Sequence, residues 1–471
     1  MSETLDAIVV GAGSAGLAAV REIGKRTDRF LLVNDGPYGT TCARVGCMPS
    51  KVLIEAANAF HKRKIFDTMG IRGGAGLSVD LPAVLARVRA LRDDFVAGTL
   101  KLTDRLGDRS VAGRATILGP GRVEVAGREY RARSIVLATG SSPVVPKPWR
   151  AFGDRILTTD TLFEQQTLPG RIAVVGLGAI GVEIAQALSR LGVQVWGFDA
   201  AERLAGVADP KVEAVLREAL GGEFRIRTGV AVELAEAAGG IEVKAGDERV
   251  VVDKVLAAVG RRPNLAGLGL ETLGVKLDER GMPPVDPSTM RIGDLPVFLA
   301  GDANGDRALL HEAADEGHIA GLNAVAEEPL CFQRRTPLGV VFCAPNLATV
   351  GLRFDRFDAA TMIVGEADFR RQSRARMTGR DHGLARVYAD RESGRLLGAT
   401  MCVPEGEHMA HLLALAVGQG LTAADLLRMP VYHPVLEEGL RGAFRELAKQ
   451  MPGGGESDLA ACEGFQAEAL D

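Results

Sequence analysis

The sequence predicts an α/β protein with two Rossmann-like dinucleotide-binding domains, the second inserted in the first, followed by a C-terminal α+β domain. The prediction depends first on an internal repeat. "DAIVVGAGSAGLAAVREIG" lies near the start of the chain, and "RIAVVGLGAIGVEIAQALSRLG" begins at Arg171. Each stretch predicts an apolar strand, a G-x-G-x-x-G turn and an alanine-rich helix. The motif glycines are Gly11, Gly13 and Gly16 in the first motif and Gly176, Gly178 and Gly181 in the second.

The glycines of such a motif have separate physical tasks. The first allows a tight turn, the second lets the backbone approach a pyrophosphate, and the third lets the helix pack closely on the strand. The helix then points unpaired N–H groups and its positive dipole end at the phosphates. One motif alone also fits a plain glycine-rich turn, but two motifs, each between a predicted strand and a predicted helix, favour dinucleotide binding.

Two further strands close the nucleotide-binding domains. "SIVLATGSSPVVP" (134–146) and "KVLAAVGRRPNL" (254–265) each run from a buried-type strand into glycine and then proline. The candidate cofactor contacts in them are Thr139, Gly140 and Gly260. "LPVFLAGDANGD" (295–306) is another apolar strand, which predicts that the first domain resumes there.

The segment 337–451 alternates strand-like pieces, such as "LARVYAD", with helical ones, such as "EHMAHLLALAVGQG", and therefore predicts an α+β domain. After it come a proline and three glycines, for which we expect a flexible, solvated tail. The predicted domains are 1–146 and 269–336 for the first nucleotide-binding domain, 147–268 for the second, 337–451 for the α+β domain and 452–471 for the tail.

Length and charge restrict the function. A chain of 471 residues predicts about three domains. The net charge of −4 argues against nucleic acid or an anionic membrane surface as a partner, since both require concentrated positive charge. The opening residues lack the pattern of a signal peptide, and no run of about 18 apolar residues predicts a membrane span. We therefore expect a cytoplasmic protein.

Two of the six cysteines, Cys42 and Cys47, lie close together in "GTTCARVGCMPSK" (39–51). A structural zinc site needs four ligands, and no second Cys or His pair follows at ligand spacing. An inert disulfide is rare in a reducing compartment. The next residues predict a helix with Pro49 in its first turn, so Cys47 lies near a positive dipole end that favours thiolate. The pattern favours a redox dithiol over zinc or an inert disulfide, and we expect no metal.

The ordered motifs resemble the flavin-dependent pyridine-nucleotide disulfide oxidoreductases, most closely their dihydrolipoyl dehydrogenase branch. The resemblance depends on C-x4-C followed by x-P-S-K, on the two glycine motifs and on the Gly-Asp end of the strand at 295–306, and it covers about residues 5 to 450. It implies FAD on the first motif, a nicotinamide nucleotide on the second, and electron transfer between nicotinamide and disulfide through the flavin. It also implies that the α+β domain is a dimerisation domain and that the protein is a homodimer.

The resemblance also implies roles for individual residues. Cys47 would be the charge-transfer thiol next to the flavin, and Cys42 the interchange thiol that meets the substrate. The other matches are Lys51 and Glu183 near the reactive edge of the flavin and Asp302 on its ribityl chain. The cysteine loop departs from the dihydrolipoyl dehydrogenase pattern at Thr40, Thr41, Ala43 and Arg44.

His433 is the candidate acid–base group. It lies in "VYHPVLEEGL", at the start of a helical pattern, and Glu438 follows five residues later. A carboxylate close to an imidazole fixes its tautomer and stabilises its protonated form. By itself the pattern also fits a surface or core histidine. The family's His-Pro-x-x-x-Glu pattern matches here and implies a base that acts on the cysteines of the second subunit.

The ends of two strands indicate which ribose groups are bound. Asp199 ends the strand after the second motif, where a carboxylate binds the ribose hydroxyls of NAD and repels the 2′-phosphate of NADP. The sequence therefore favours NAD. At the matching place in the first motif the family usually has glutamate, whereas this chain has Asn34 and Asp35, and either side chain can bond to a ribose.

The leading interpretation is an NAD-dependent enzyme that reoxidises dihydrolipoyl groups on a carrier protein. The alternatives are a reductase of another small disulfide, such as glutathione, and a redox-silent flavoprotein that only scaffolds a multienzyme complex. The intact Cys42, Cys47 and His433 argue against a scaffold. Three other cysteines are predicted to be buried small residues, namely Cys331, Cys343 and Cys402, and the sequence assigns no role to Cys462.

Overall fold

The structure is a computed structural model that describes residues 4–451. The predicted tail at 452–471, with Cys462, lies outside the described residues. The described chain forms two compact units. The first unit comprises 4–57, 78–170 and 253–334, and the second comprises 58–77, 171–252 and 335–451. The predicted domain boundaries stay a prediction.

The strands follow one another in chain order. They are β1 (Leu5–Val10), β2 (Phe30–Asn34), β3 (Ser110–Ala112), β4 (Ala115–Gly119), β5 (Arg122–Val125), β6 (Arg128–Leu137), β7 (Ser141–Pro143), β8 (Ile156–Leu157), β9 (Arg171–Val175), β10 (Gln194–Phe198), β11 (Arg225–Arg227), β12 (Val232–Ala237), β13 (Gly240–Ala245), β14 (Glu248–Val252), β15 (Lys254–Ala257), β16 (Arg261–Pro263), β17 (Val297–Leu299), β18 (Leu338–Val341), β19 (Asn346–Gly351), β20 (Met362–Asp368), β21 (Leu384–Asp390) and β22 (Leu396–Val403).

The helices lie between some of these strands and after the last strand. They are α1 (Ser14–Ile23), α2 (Thr41–Val45), α3 (Cys47–His61), α4 (Leu81–Asp104), α5 (Thr159–Leu162), α6 (Ala179–Arg190), α7 (Pro210–Gly221), α8 (Leu310–Ala324), α9 (Ser373–Met377), α10 (Gly406–Gly418), α11 (Ala423–Leu427) and α12 (Glu438–Lys449). None of the helices between residues 4 and 451 is both long and apolar enough to cross a membrane.

The main sheet of the first compact unit forms around β1. Its order is β3-β2-β1-β6-β5-β4, and β17, the strand predicted within 295–306, also pairs with β6. The pairs β1–β2, β1–β6 and β6–β17 are parallel, whereas β4–β5 and β5–β6 are antiparallel. Because successive side chains point to opposite faces, the apolar residues of the central strands supply a core on each face of the sheet.

Helix α1, which follows the first glycine motif, packs on α8 with backbone close to backbone. A Cβ on Gly317 would lie 2.1 Å from the carbonyl oxygen of Ala15, and a Cβ on Gly321 would lie 2.6 Å from that of Ala19. Only glycine allows such an approach. The direction of α1 is therefore fixed by two glycines that lie 302 residues further along the sequence than the alanines they contact.

The second compact unit repeats the strand–turn–helix–strand order. β9, β10 and β11 pair in parallel, and α6 follows β9 through the second glycine motif. β12, β13 and β14 form a separate antiparallel sheet. The predicted pair of Rossmann-like folds is therefore present, one around each glycine motif.

The chain after residue 337 forms the antiparallel sheet β18-β19-β22-β21-β20, with α10 and α12 packed on it. α12 buries Leu440, Ala443, Phe444 and Leu447, which share one face because they are three or four residues apart. Gly365 on β20 lets this helix approach, since a Cβ there would lie 2.0 Å from the carbonyl oxygen of Ala443. This is the predicted C-terminal α+β fold.

The cysteines outside the 39–51 loop differ in their surroundings. Cys343 and Cys402 are buried, as predicted. Cys331 is exposed, so the prediction of a buried residue was wrong. It lies between α8 and β18 in a stretch without helix or strand, and such connections run over the protein surface.

Candidate active site

The cysteine loop folds as two helices that meet at Gly46. Thr40 caps the first of them, α2, because its hydroxyl oxygen accepts a hydrogen bond of 3.1 Å from the N–H of Ala43. Thr40 does so at a φ of +58°, where residues other than glycine are uncommon. Gly46 lies against Cys42, since a Cβ on it would be 3.2 Å from the Cys42 Cα. The turn brings Cys47, the first residue of α3, back towards Cys42.

Cys42 and Cys47 are both thiols in this structure, and their side chains interact. Cys42 is half-buried and Cys47 is exposed. The hydrogen bond with Cys47, and then burial, raise the pKa of Cys42 well above its usual range, against the opposing charge of Lys51. Cys42 therefore holds its proton more strongly than an isolated thiol does. The position of Cys47 at the N-terminus of α3 is one that favours a thiolate.

A cavity of about 590 Å³ opens beside the first glycine motif. Its lining includes Gly11, Asn34, Asp35, Arg114 and Thr139. Gly13 has open space where a Cβ would be, as it must if a phosphate is to approach the backbone. The hydroxyl of Thr139 is buried and has no hydrogen-bond partner within residues 4–451, so a ligand could supply one. The size and polarity of the cavity fit a dinucleotide such as FAD.

Asn34 closes the turn of the first motif. Its Oδ1 accepts a hydrogen bond of 3.0 Å from the N–H of Ala12, and its Nδ2 donates one of 3.0 Å to the carbonyl oxygen of Gly36. Asp35 lines the same cavity without taking part in this turn. The two candidates for the FAD ribose therefore lie side by side, and Asn34 is the one tied to the glycine motif.

Asp302 lies three residues after the end of β17, in the 3₁₀ turn Gly301–Asn304. Its carboxylate accepts a hydrogen bond of 2.7 Å from the hydroxyl of Ser141 and is 3.9 Å from the guanidinium of Arg261. Arg261 also donates to the Ser141 hydroxyl at 2.8 Å. The carboxylate is thus held beside the turn that contains Gly140, whose φ is +66°.

The second glycine motif repeats the turn of the first motif, with the charged Asp199 in the place of Asn34. Asp199 Oδ2 accepts a hydrogen bond of 2.5 Å from the N–H of Leu177, and Oδ1 accepts one of 2.8 Å from Ala201. Gly176 has a φ of +93°, and Gly178 has open space where a Cβ would be. The other two glycines predicted to contact NAD are Gly181, which is buried in α6, and Gly260, which follows β15 with a φ of +108°.

One face of α6 is polar and buried. Glu183 accepts a hydrogen bond of 2.8 Å from the N–H of Phe342. One helical turn later, Gln186 both accepts from the N–H of Ala344 and donates to its carbonyl oxygen, each at 2.8 Å. The sequence analysis identified Glu183 but missed Gln186. The signal available was a polar residue every three or four positions along an otherwise apolar helix.

Arg190 ends the polar face of α6 and was also missed. It donates to the carboxylate of Glu223 at 2.6 and 2.7 Å, and both side chains are almost completely buried. His61 lies beside this ion pair, 3.8 Å from Glu223. Burial, and then the charge of Arg190, lower the pKa of His61 to about 4.

His433 and Glu438 form the predicted pair. Nδ1 of His433 is 2.9 Å from Oε1 of Glu438, and Oε2 accepts from the N–H of Val435 at 3.1 Å. The hydrogen bond from His433 lowers the pKa of Glu438, so the carboxylate stays ionised. With Nδ1–H directed at the carboxylate, Nε2 is the ring nitrogen that can take a proton. His433 itself precedes α12, which begins at Glu438.

The structure brings the predicted residues together in groups. Within the first unit, Lys51 acts on Cys42 and the residues of the first motif surround one cavity. Within the second unit, Asp199 closes its glycine turn and His433 meets Glu438. Among the described residues, no group of His, Cys, Asp and Glu side chains is arranged to hold a metal ion.

Comparisons with known proteins extend over nearly the whole chain. Residues 5–317 match the pyridine nucleotide-disulphide oxidoreductase family, and residues 338–444 match its dimerisation domain. The chain is 34% identical to the dihydrolipoyl dehydrogenase of Thermus scotoductus, over 95% of this chain and 98% of that protein. It is 32% identical to the dihydrolipoyl dehydrogenase of Haloferax volcanii, over 93% and 94%.

Two solved structures show the same fold. LpdA of Mycobacterium tuberculosis has a TM-score of 0.83 and 26% identity, over 94% of this chain and 99% of that chain. The flavoprotein disulfide reductase RclA of Escherichia coli, in its Cu(II) complex, has a TM-score of 0.82 and 22% identity over the same shares, which is evidence of fold alone.

These matches confirm the predicted fold class and the predicted cofactors, FAD and NAD. The match to the dimerisation domain supports the predicted homodimer. The roles of individual residues and the cytoplasmic location stay predictions. The chain belongs to the pyridine nucleotide-disulphide oxidoreductase family and is an FAD- and NAD-dependent disulfide oxidoreductase.

Proposed function

We propose that this enzyme oxidises dihydrolipoyl groups to lipoyl disulfides and reduces NAD. The observation that carries the proposal is the thiol pair, in which Cys47 lies at the N-terminus of α3 and its side chain interacts with that of Cys42. Such a pair can exchange with a substrate dithiol through one sulfur and pass electrons on through the other. The names of the relatives in Thermus scotoductus and Haloferax volcanii support the lipoyl substrate.

In the proposed reaction, a substrate thiolate attacks Cys42 of the oxidised Cys42–Cys47 disulfide, and the bond between the two cysteines breaks. The second substrate sulfur then displaces Cys42, which leaves a lipoyl disulfide and two enzyme thiols. His433 accepts a proton from the substrate at Nε2, and Glu438 stabilises the imidazolium. FAD, when bound, would supply the path for two electrons from the enzyme dithiol to NAD, which gives NADH and one proton.

The remaining assignments follow from the two motifs. Asp199 would bind the ribose hydroxyls of NAD. Asn34 occupies the same place in the first motif and would face the ribose of FAD, with Asp35 next to it. The other proposed cofactor contacts are Lys51, Glu183, Asp302, Thr139, Gly140, Gly260 and the six motif glycines.

One contact supports a lipoyl substrate over glutathione disulfide. Glutathione disulfide is anionic, so its site needs fixed cations. In the position after Gly317, where glutathione reductases have arginine, this chain has His318. Its Nδ1 is 3.0 Å from the carboxylate of Glu22, which is nearly buried. A histidine engaged in this way offers no two-pronged clamp for a carboxylate of the substrate.

A steady-state assay tests the proposal. We expect the oxidation of dihydrolipoamide with NAD to be at least roughly 100-fold more efficient, in kcat/KM, than the reduction of glutathione disulfide with NADPH, a ratio worth about 2.7 kcal/mol. His433→Ala should retain FAD and lower turnover by about 10²- to 10⁴-fold. Comparable efficiencies with the two substrates, or activity with neither, would rule out the lipoyl assignment.

A further inference from the structure

An arginine-rich surface lies next to the loop of His433. Between Phe369 and Gly379 the chain has no acidic residue, and the arginines run on to position 380. We name this set the arginine patch: Arg370, Arg371, Arg374, Arg376 and Arg380, all exposed. The chain as a whole carries a net charge of −4, so the patch is a local reversal of sign. The proposed reaction does not use it.

Two contacts attach the segment that carries the patch to the residues next to the acid–base pair, His433 and Glu438. Phe369 is fully buried, and its ring lies against Gly439, where a Cβ would come within 2.5 Å of it. Gln372 donates a hydrogen bond of 2.6 Å to the carbonyl oxygen of Val435. Gly439 and Val435 are neighbours of the acid–base pair in sequence. The segment that carries the arginines is therefore held against the loop of His433.

Carboxylates of the protein neutralise only part of the patch. Asp368 pairs with Arg370, and Glu405 pairs with Arg380, each at 2.6 Å. The arginines of the patch without a salt-bridge partner within residues 4–451 are Arg371, Arg374 and Arg376. An exposed guanidinium without such a partner keeps its fork of N–H donors for carboxylates from outside.

We propose that the arginine patch is the docking surface for an acidic protein domain that carries the dihydrolipoyl group, an inference that rests on the proposed function. A dithiol on a protein-borne arm reaches the reacting groups only when its carrier lies against the surface close to the proposed base, His433. The negative net charge of the enzyme repels an acidic carrier. A local positive surface next to the loop of His433 attracts the carrier and orients it there.

The test compares two holoenzyme variants that lose the same charge. The patch variant is Arg371→Gln/Arg374→Gln/Arg376→Gln. The control variant is Arg105→Gln/Arg280→Gln/Arg356→Gln, which changes three exposed arginines outside the patch. The substrates are free dihydrolipoamide, which is neutral, free dihydrolipoate, which is an anion, and a purified lipoyl domain of negative net charge with its arm reduced. Each is assayed with NAD at about 0.02 M and about 0.3 M salt.

We expect the patch variant to lower kcat/KM for the domain-borne substrate by at least roughly 10-fold at low salt, through KM. Its kcat/KM for free dihydrolipoamide should equal that of the wild type and of the control variant. High salt should bring the wild type towards the patch variant with the domain-borne substrate, because the attraction is screened.

Three results would overturn the docking surface. An equal loss with free dihydrolipoate would make the patch a site for small anions, and an equal loss with dihydrolipoamide would make it part of the reaction site. A patch variant that behaves like the control would leave the arginines no role in docking. Fluorescence anisotropy measures binding of the oxidised lipoyl domain and therefore tests docking without any turnover. If the wild type oxidises no dihydrolipoamide, that result contradicts the proposed function, and the binding measurement still decides whether the patch is a docking surface.

Discussion

The two glycine motifs build the same turn but support the following helix in different ways. In both, the N–H after the first glycine donates to the side chain that ends the next strand, from Ala12 to Asn34 and from Leu177 to Asp199. In both, the second glycine faces open space. The turn is thus a shared device for admitting a pyrophosphate.

The helices that follow the two motifs, α1 and α6, differ in the contacts that hold them in place. α1 packs on two glycines of α8 through backbone and methyl groups, and its Glu22 also pairs with His318 of α8. α6 instead uses Glu183, Gln186 and Arg190 to bond to the segment 342–344 and to Glu223. A substitution that disturbs the packing of α1 should introduce steric strain. A substitution of Arg190 on α6 should instead leave the carboxylate of Glu223 buried without its cation.

The two tryptophans can separate these effects. Trp149 belongs to the first compact unit and Trp196 to the second, and both are buried. Replacing either one by phenylalanine leaves a single fluorescent reporter for the other unit. Each prediction about stability can then be measured as unfolding in urea, one unit at a time.

Gly16→Ala should have the largest effect, on the first motif. Its Cβ would lie 1.8 Å from the carbonyl oxygen of Gly11, so α1 would have to move away from the turn. We expect a loss of about 4 kcal/mol or more in the free energy of unfolding reported by Trp149, or no soluble protein. Gly13→Ala adds the same methyl group into open space and should fold normally, with weaker FAD retention. Equal stability of the two variants would show that the close approach is absent.

Arg190→Ala tests the polar support of the second helix. It leaves the buried Glu223 without its cation, with the amide of Gln186 still donating to it, and should cost about 3 kcal/mol in the free energy of unfolding reported by Trp196. Adding Glu223→Ala should recover part of the lost stability, because the buried carboxylate without a cation is then removed. Losses that simply add would mean that the two residues do not support the helix as a pair.

Asp199→Ala and Asn34→Ala compare the strand ends of the two motifs. We expect Asp199→Ala to raise KM for NAD by roughly 5- to 150-fold, equivalent to about 1–3 kcal/mol, and to narrow the gap to NADP. Asn34→Ala should leave KM for NAD unchanged and weaken FAD retention, because its bond lies in the other motif. A wild-type enzyme that prefers NADP would refute the assignment of Asp199.

The sequence could predict features that are encoded within a few residues. Each glycine motif lies between its own strand and helix, and His433 reaches Glu438 five residues later. The polar face of α6 was largely missed because its partners, Phe342 and Ala344, lie more than 150 residues further along the chain. Local patterns mark a polar residue on a helix, but only the fold brings its partner to it.

The burial of a cysteine is also easier to predict from the sequence beside a strand than in an irregular segment. Cys343 lies beside a strand and was predicted correctly, whereas Cys331 lies in a stretch without helix or strand and was not. Alternating apolar residues identify the buried face of a strand. An irregular connection has no such period, so the exposure of a cysteine in it depends on how the chain crosses the surface.

The smallest predicted effect is a dependence on pH that comes from His61 of the second unit. The pKa of His61, beside Arg190 and Glu223, is about 4 in the folded protein, against about 6.5 when unfolded. The unfolded chain therefore binds a proton more readily, and the stabilisation from the neutral imidazole is complete above about pH 6.5 and is lost as the pH falls towards 4. Because His61 is partly exposed, we expect solvent to reduce this loss to about 1 kcal/mol.

His61→Gln removes the titrating group and isolates this loss from other acid effects. Unfolding in urea at pH 7 and at about pH 4.5, reported by Trp196, should show the wild type losing about 1 kcal/mol more than His61→Gln between the two conditions. The same comparison with Trp149 should show no such difference, because His61 lies in the second unit and Trp149 in the first. If the wild type and His61→Gln lose equal stability at acid pH, His61 is not the group that makes the polar support of α6 sensitive to pH.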